Sequence, residues 1–130
     1  FFLGPVSSVS GYSSNQNGLY AAEDIVSTAF MFESGVHGTG TWCFSAAEHL
    51  DNTEIIGSKG KLTYATFSQE PVRLYKDGET ETLDIAPPEH VHQPLIQTIV
   101  DELNGDGTCT STGISGARAS WVLEQMLGGK

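Results

Sequence analysis

Apolar and polar residues alternate with a period of two over most of the first 85 residues, which is the pattern of β-strands. Residues 25–32 show the alternation well, with Val26, Thr28, Phe30 and Phe32 on one predicted face. The predicted strands are 6–12, 25–32, 36–46, 53–57, 61–67, 72–75 and 80–85.

Short glycine-containing sequences separate the later strands and predict tight turns. Gly57-Ser58-Lys59-Gly60 joins two apolar runs, and Asp77-Gly78 joins two more. Asp-Gly between strands is a strong hairpin signal, because both central residues of the favoured turn need positive φ. Residues 86–88 (Ala-Pro-Pro) end the sheet region, since proline cannot donate to a β-ladder.

The spacing of apolar residues changes to three and four after residue 90, which predicts two helices. Pro94 suits the first turn of one helix, and 104–107 (Asn-Gly-Asp-Gly) ends it. Ser115 is the predicted cap of the second helix, which ends at Gly128. The chain therefore predicts one α+β domain over 1–130: an open, mostly antiparallel β-sheet with both C-terminal helices packed on one face.

Both faces of the 25–46 hairpin carry apolar residues, so we expect helices on one face and a partner over part of the other. Gly38 and Gly40 suggest that another group approaches this strand closely. Trp42 and Trp121 are expected in a core or interface, with stacking on a sugar as the functional alternative. Cys43 is expected to be a small buried residue.

The formal net charge of −10, from six Lys and Arg against sixteen Asp and Glu, argues against nucleic-acid partners and anionic membrane surfaces. No apolar run is long enough to span a bilayer. Two widely spaced cysteines make neither a disulfide framework nor a zinc site. We expect a cytoplasmic protein, although a periplasmic one is also compatible with this usage.

The cluster Glu89-His90-Val91-His92 is the sharpest candidate site in the sequence. An extended His-x-His would place both rings on one face, as a metal site requires, with a third ligand from His37, His49 or a carboxylate. Alternatively, His90 or His92 lines a substrate cleft, where an imidazole titrating near neutral pH can transfer protons. A polar lead-in to the helix at Pro94 is the structural alternative. We predict no metal site.

Glycine pairs in the chain do not form a dinucleotide-binding motif. Gly38-Thr39-Gly40 has Cys43 where the third glycine is needed, and the context is a strand. Gly57-Ser58-Lys59-Gly60 also leads into a strand rather than a helix. We therefore expect no cofactor-binding residue and no catalytic residue in this chain.

The order of strands, glycine turn, hairpins, proline break and closing helices resembles the C-terminal domain of the Gfo/Idh/MocA oxidoreductases. Three stretches carry the likeness: 30–41 (FMFESGVHGTGT), 54–62 (EIIGSKGKL) and the helix at 94–107 with the TGISGARA sequence of 112–119. Phe1-Phe2-Leu3-Gly4-Pro5-Val6 resembles the end of the helix that leads into this domain.

This resemblance implies an enzyme that transfers hydride between NAD or NADP and a sugar, polyol or related compound. The dinucleotide-binding N-terminal domain and the usual catalytic residues of the family are absent from this sequence. The chain would be inactive alone, form one wall of the cleft and pair subunits as a homo-oligomer through the open sheet face. A stand-alone binding module of the same fold is the main alternative, and a small metal enzyme using His90 and His92 is the third.

Overall fold

The computed structural model describes residues 2–128 and, within them, seven strands and two helices. The strands are β1 (Val6–Ser14), β2 (Ile25–Phe32), β3 (His37–Cys43), β4 (Thr53–Gly57), β5 (Gly60–Tyr64), β6 (Val72–Lys76) and β7 (Glu79–Leu83). The helices are α1 (Gln93–Asn104) and α2 (Gly113–Met126). The predicted α+β class is confirmed. The expectation for Phe1 at a helix end lies outside the described residues.

Hydrogen bonding divides the strands into two antiparallel sheets, with the orders β1-β2-β3 and β4-β5-β6-β7. The chain forms two compact units, one of 1–47 with 109–130 and one of 48–108. The first unit contains the three-stranded sheet and α2, and the second contains the four-stranded sheet and α1. Sequence alternation locates strands but not the pairing between hairpins, so two sheets rather than one were not foreseen.

In the first unit, α2 packs on β1 and β2. It lies over the face that contains Val6 and Phe32, since both line a cavity together with Ala119 and Val122 of α2. The opposite face of this sheet is formed by Ser8, Ser10, Tyr12, Ser14, Ile25, Ser27, Ala29, Met31, His37, Thr39, Thr41 and Cys43, as the strand register requires.

Helix α2 begins with a capping box, in which two residues satisfy each other's backbone donors. Thr112 is the N-cap, and its hydroxyl accepts from the backbone N–H of Ser115. The Ser115 hydroxyl accepts from the N–H of Thr112 at 2.9 Å. The predicted cap at Ser115 is therefore wrong by three residues, because Ser115 is the inner member of the pair.

In the second unit, the two hairpin turns have the predicted positions. Asp77 and Gly78 have φ of 53° and 81°, which is the left-handed geometry that the two-residue turn between β6 and β7 requires. Gly60 lies where a Cβ would be 2.4 Å from the backbone oxygen of Tyr75, so only glycine fits beside β6. The turn residues in the sequence therefore predict the positions of both hairpins correctly.

Helix α1 begins and ends as its sequence predicts, but it contacts no strand of its own unit within the described residues. Pro94 lies in the first turn, and Gly105 closes the helix with φ of 82°. Its apolar stripe is exposed, with 57% of Ile96 and 81% of Leu103 accessible. The expected packing of a second helix on a sheet is thus not seen for α1.

Candidate functional site

His90 and His92 lie in the turn that leads into α1, and both are exposed. The carbonyl oxygen of His90 accepts from Gln93 N–H at 3.0 Å, and that of His92 accepts from Ile96 N–H at 3.0 Å. His92 is the N-cap residue, with φ −88° and ψ −9°, and its side chain makes no capping bond. The His92 imidazole is therefore not used by the helix cap, and both rings are exposed to solvent.

The extended His-x-His geometry that a metal site would use is wrong for this segment. The backbone at His92 has right-handed helical angles, because the segment winds into the first turn of α1. Within residues 2–128, no three His, Cys, Asp or Glu side chains lie together in an arrangement that could hold a metal ion.

The two glycine pairs singled out in the sequence do not lie where a nicotinamide dinucleotide would need them. Gly38-Thr39-Gly40 lies inside β3, and Gly57 and Gly60 flank the hairpin turn between β4 and β5. A pyrophosphate site needs such glycines between a strand and a helix, where amides at the helix N-terminus meet the phosphates. No step of a hydride transfer can therefore be assigned to these glycines.

Aromatic rings occupy the space that side chains at Gly38 and Gly40 of β3 would need. A Cβ at Gly38 would lie 2.2 Å from Cε2 of Phe30, and one at Gly40 would lie 2.5 Å from Cη2 of Trp42. Both rings therefore lie flat against the strand where a side chain is missing. Phe32 meets Phe30 edge to face, with ring centroids 5.7 Å apart. These three rings and two glycines make an aromatic surface on the face that α2 partly covers.

This aromatic surface is open at one end, since Trp42 is 43% exposed. The close approach predicted at Gly38 and Gly40 is thus made by aromatic side chains of the same sheet. Cys43, expected to be buried, is exposed, because alternation places it on the opposite face from Trp42. The signal in the sequence is that Gly38, Gly40 and Trp42 share one face of β3, while Phe30 and Phe32 share the same face of β2.

Two aspartates, which the sequence did not single out, fix loops beside the sheets. The carboxylate of Asp24 accepts from the N–H groups of Gln16 and Asn17 at 2.8 and 2.7 Å. These bonds lower the pKa of Asp24, because they stabilise the charged form. Asp24 also bonds through its backbone to Ser14 and Phe44. It therefore ties the 15–23 loop to the end of the sheet where β1 ends, β2 begins and β3 ends.

Asp51 acts in the same way in the second unit. Its carboxylate accepts from the backbone N–H groups of Thr66, Phe67 and Ser68, and these bonds lower its pKa. The contact joins the residue before β4 to the segment after β5 and closes the open end of that hairpin. Both aspartates therefore fix local backbone structure.

The face of the three-stranded sheet opposite α2 carries hydroxyl, small and apolar groups. Its twelve positions include six Ser or Thr residues together with Tyr12 and contain no Lys, Arg, Asp or Glu. Ser27 and Thr41 lie side by side on it, with their hydroxyl oxygens 3.3 Å apart. Interface cores are depleted of charged side chains in the same way. We call this surface the hydroxyl face.

Comparison with known proteins agrees with this architecture. The GFO/IDH/MocA C-terminal domain family matches residues 1–63. These residues, just under half of the chain, are therefore similar to the C-terminal domain of the GFO/IDH/MocA family. Oxidoreductase P35 of Formosa agariphila is 31% identical over 99 residues, which are 76% of this chain and 30% of that protein.

Solved structures share the fold of nearly the whole chain. An oxidoreductase from Agrobacterium radiobacter, in complex with NAD+, L-tartaric acid and magnesium, matches with a TM-score of 0.78 and 14% identity. That match covers 94% of this chain and 40% of the other. The WlbA dehydrogenase from Bordetella pertussis, in complex with NADH and UDP-GlcNAcA, matches with a TM-score of 0.75 and 21% identity, covering 95% and 37%.

The chain therefore spans well under half the length of these relatives. At these identities the solved structures establish the fold and no more. None of the helices in residues 2–128 is long and apolar enough to cross a membrane.

Proposed function

We propose that this chain is the substrate-side lobe of a nicotinamide-dependent oxidoreductase that acts on a sugar, a polyol or a related hydroxyl or carbonyl compound. The family match and the curated relative support the reaction class. The ligands of the two solved relatives, L-tartaric acid with NAD+ and UDP-GlcNAcA with NADH, support the substrate class and the cofactor.

The observation that carries this proposal is the amount of surface left accessible. The chain exposes 10179 Å². A compact monomer of 13.9 kDa would expose about 6,700 Å², and even two separate compact bodies of half that mass would expose about 8,000 Å². The excess of about 2,000 Å² or more has the size of an obligate interface.

Much of this excess is apolar. Within residues 2–128, the buried hydrophobic residues are Cys109 and Met126, whereas Trp42, the α1 stripe and other large apolar side chains are exposed. Burying apolar surface stabilises by about 25 cal/mol per Å², so covering it by a second lobe is strongly favourable. The dinucleotide-binding lobe of the same enzyme is the body that we assign to this surface.

In this proposal, His90 and His92 line the cleft between the lobes, where their rings contact the substrate. Their rings are exposed at the start of α1 and have no competing capping bond. The chain alone binds no dinucleotide and catalyses nothing, and the intact enzyme works in the cytoplasm.

The hydroxyl face pairs this lobe with a second copy. It has no charged side chain of Asp, Glu, Lys or Arg type among its twelve positions and lies opposite α2. The chain has 22 charged side chains of these types, and all of them lie outside the hydroxyl face. Charged side chains keep a surface soluble, so a face without them is suited to an interface. The pairing is therefore homo-oligomeric and face to face.

The experiment joins this chain to the gene's upstream half and measures NADH oxidation with a panel of aldoses, ketoses and keto acids. We expect turnover with one class of these substrates and none from the 130-residue chain alone. His90→Gln and His92→Gln should raise KM about tenfold where the ring contacts the substrate, which corresponds to the loss of about one hydrogen bond. His49→Gln is the matched control. Full activity in both His90→Gln and His92→Gln would remove the cleft role.

A further inference from the structure

The first unit contains a cavity between α2 and the start of β1 that no part of the proposed reaction uses. Its volume is about 420 Å³, within the range of roughly 300–1,000 Å³ that is typical of small-molecule sites. Its walls are Gly4, Pro5, Val6 and Phe32 on the sheet side and Thr110, Ser115, Arg118, Ala119 and Val122 on the helix side.

The two walls differ in chemistry. The sheet side and the end of the helix side are apolar, through Pro5, Val6, Phe32, Ala119 and Val122. One cation, Arg118, projects from the middle of α2 into this lining, and no acidic residue lines the cavity within the described chain. A mostly apolar pocket with a few polar groups that set orientation is the usual form of a ligand site.

Arg118 is exposed to solvent, and its guanidinium has no counter-charge among the residues that the structure describes. Within residues 2–128 it forms no ion pair, although the chain contains sixteen acidic residues. Glu33 is held beside the cavity by its N–H bond to the carbonyl oxygen of Pro5 at 2.9 Å, but its carboxylate does not pair with Arg118. Among the same residues, Arg73 pairs with Glu70 and Lys61 with Glu54.

We propose that this cavity binds a small carboxylic acid, whose carboxylate pairs with Arg118 and whose apolar body lies against Phe32 and Val122. A guanidinium presents two parallel donors that match the two oxygens of a carboxylate. The apolar walls favour a hydrocarbon or aromatic body over a bare inorganic anion. Because the chain is acidic, this uncompensated cation supplies the charge complementarity for an anion. The inference does not depend on the oxidoreductase function.

The test is a titration of the 130-residue chain with benzoate, followed by backbone amide NMR. We expect saturable shifts confined to 4–6, 32 and 110–122. Arg118→Gln should weaken binding at least tenfold, Arg118→Lys should bind with intermediate affinity, and Lys59→Gln, which removes the same charge from a hairpin turn, should bind as the parent does. An unchanged amide spectrum in the absence of ligand shows that each variant folds.

Three results would overturn the proposal. Binding of benzyl alcohol, the neutral counterpart, as tight as that of benzoate would remove the role of the carboxylate. Binding of inorganic phosphate as tight as that of benzoate would remove the role of the apolar walls. Shifts that do not saturate, or that persist unchanged in Arg118→Gln, would mean that the cavity does not select a carboxylate.

Discussion

The pairing of β1 with β2 depends on the missing side chain at Gly11, which lies opposite Thr28. A Cβ at Gly11 would be 2.4 Å from the carbonyl oxygen of Ser27 and 2.8 Å from the Cα of Thr28. Ordinary van der Waals contact begins at 3.4 Å, so the strands must separate by about 1 Å. Because the obstructing atoms belong to the backbone, no side-chain rotation can relieve this contact.

Gly11→Ala should therefore destabilise the chain by about 2 kcal/mol, within the range of roughly 1–3 kcal/mol for overpacking. With a urea m-value of roughly 1–3 kcal/mol per M, the midpoint of unfolding falls by about 1 M. The assay is urea unfolding followed by circular dichroism, for the parent and two variants at equal concentration.

Gly116→Ala is the matched control, since it adds the same methyl group in α2 with nothing within 4 Å of the new atom. Alanine is the better helix former by up to about 1 kcal/mol, so this midpoint should rise. A midpoint for Gly11→Ala equal to that of the parent, with Gly116→Ala behaving as expected, would refute the close β1–β2 approach.

Three further predictions concern a cap, a loop and the hydroxyl face. Thr112→Ala removes the capping box of α2 and should cost about 1 kcal/mol in urea unfolding, whereas Ser120→Ala on the same helix should cost far less. Asp24 has a lowered pKa in the folded chain, so its contribution is complete above the unfolded pKa of about 3.9 and is lost as pH falls through the folded value. Asp24→Asn should flatten the stability profile in that acid range, and an unchanged profile would contradict this role. Thr39→Arg on the hydroxyl face should shift sedimentation towards monomer, while Lys59→Arg should not; equal association of both variants would exclude this face as the interface.

Most strands and helices could be located from the sequence, because they depend on local features such as residue alternation and turn residues. Alternation located the strands of 25–32 and 72–75, and Asp77-Gly78 fixed its hairpin through positive φ at both residues. Strand ends were less accurate, as for the segment predicted at 61–67 and observed at Gly60–Tyr64, because the sheet ends where Asp51 binds the following backbone. That carboxylate contact joins residues 15 to 17 apart in sequence and has no local signal.

The site was less accessible to sequence reasoning. The sequence showed that His90 and His92 form a cluster. It did not predict the helical backbone angles at His92, because these depend on where α1 starts. The cavity at Arg118 brings the start of β1 against α2, which are more than 100 residues apart, and no spacing rule predicts that encounter. Whether the strands form one sheet or two likewise depends on hydrogen bonds between hairpins, which the sequence pattern within each hairpin does not predict.

The central claim is that this chain is one lobe of an oxidoreductase and that the other lobe holds the dinucleotide. Titration of NADH into the purified 130-residue chain, followed by nicotinamide fluorescence and calorimetry, tests it most directly. The account predicts no saturable binding by this chain and clear binding once the upstream half of the protein is joined to it. Tight, stoichiometric binding of NADH by the chain alone would contradict the account.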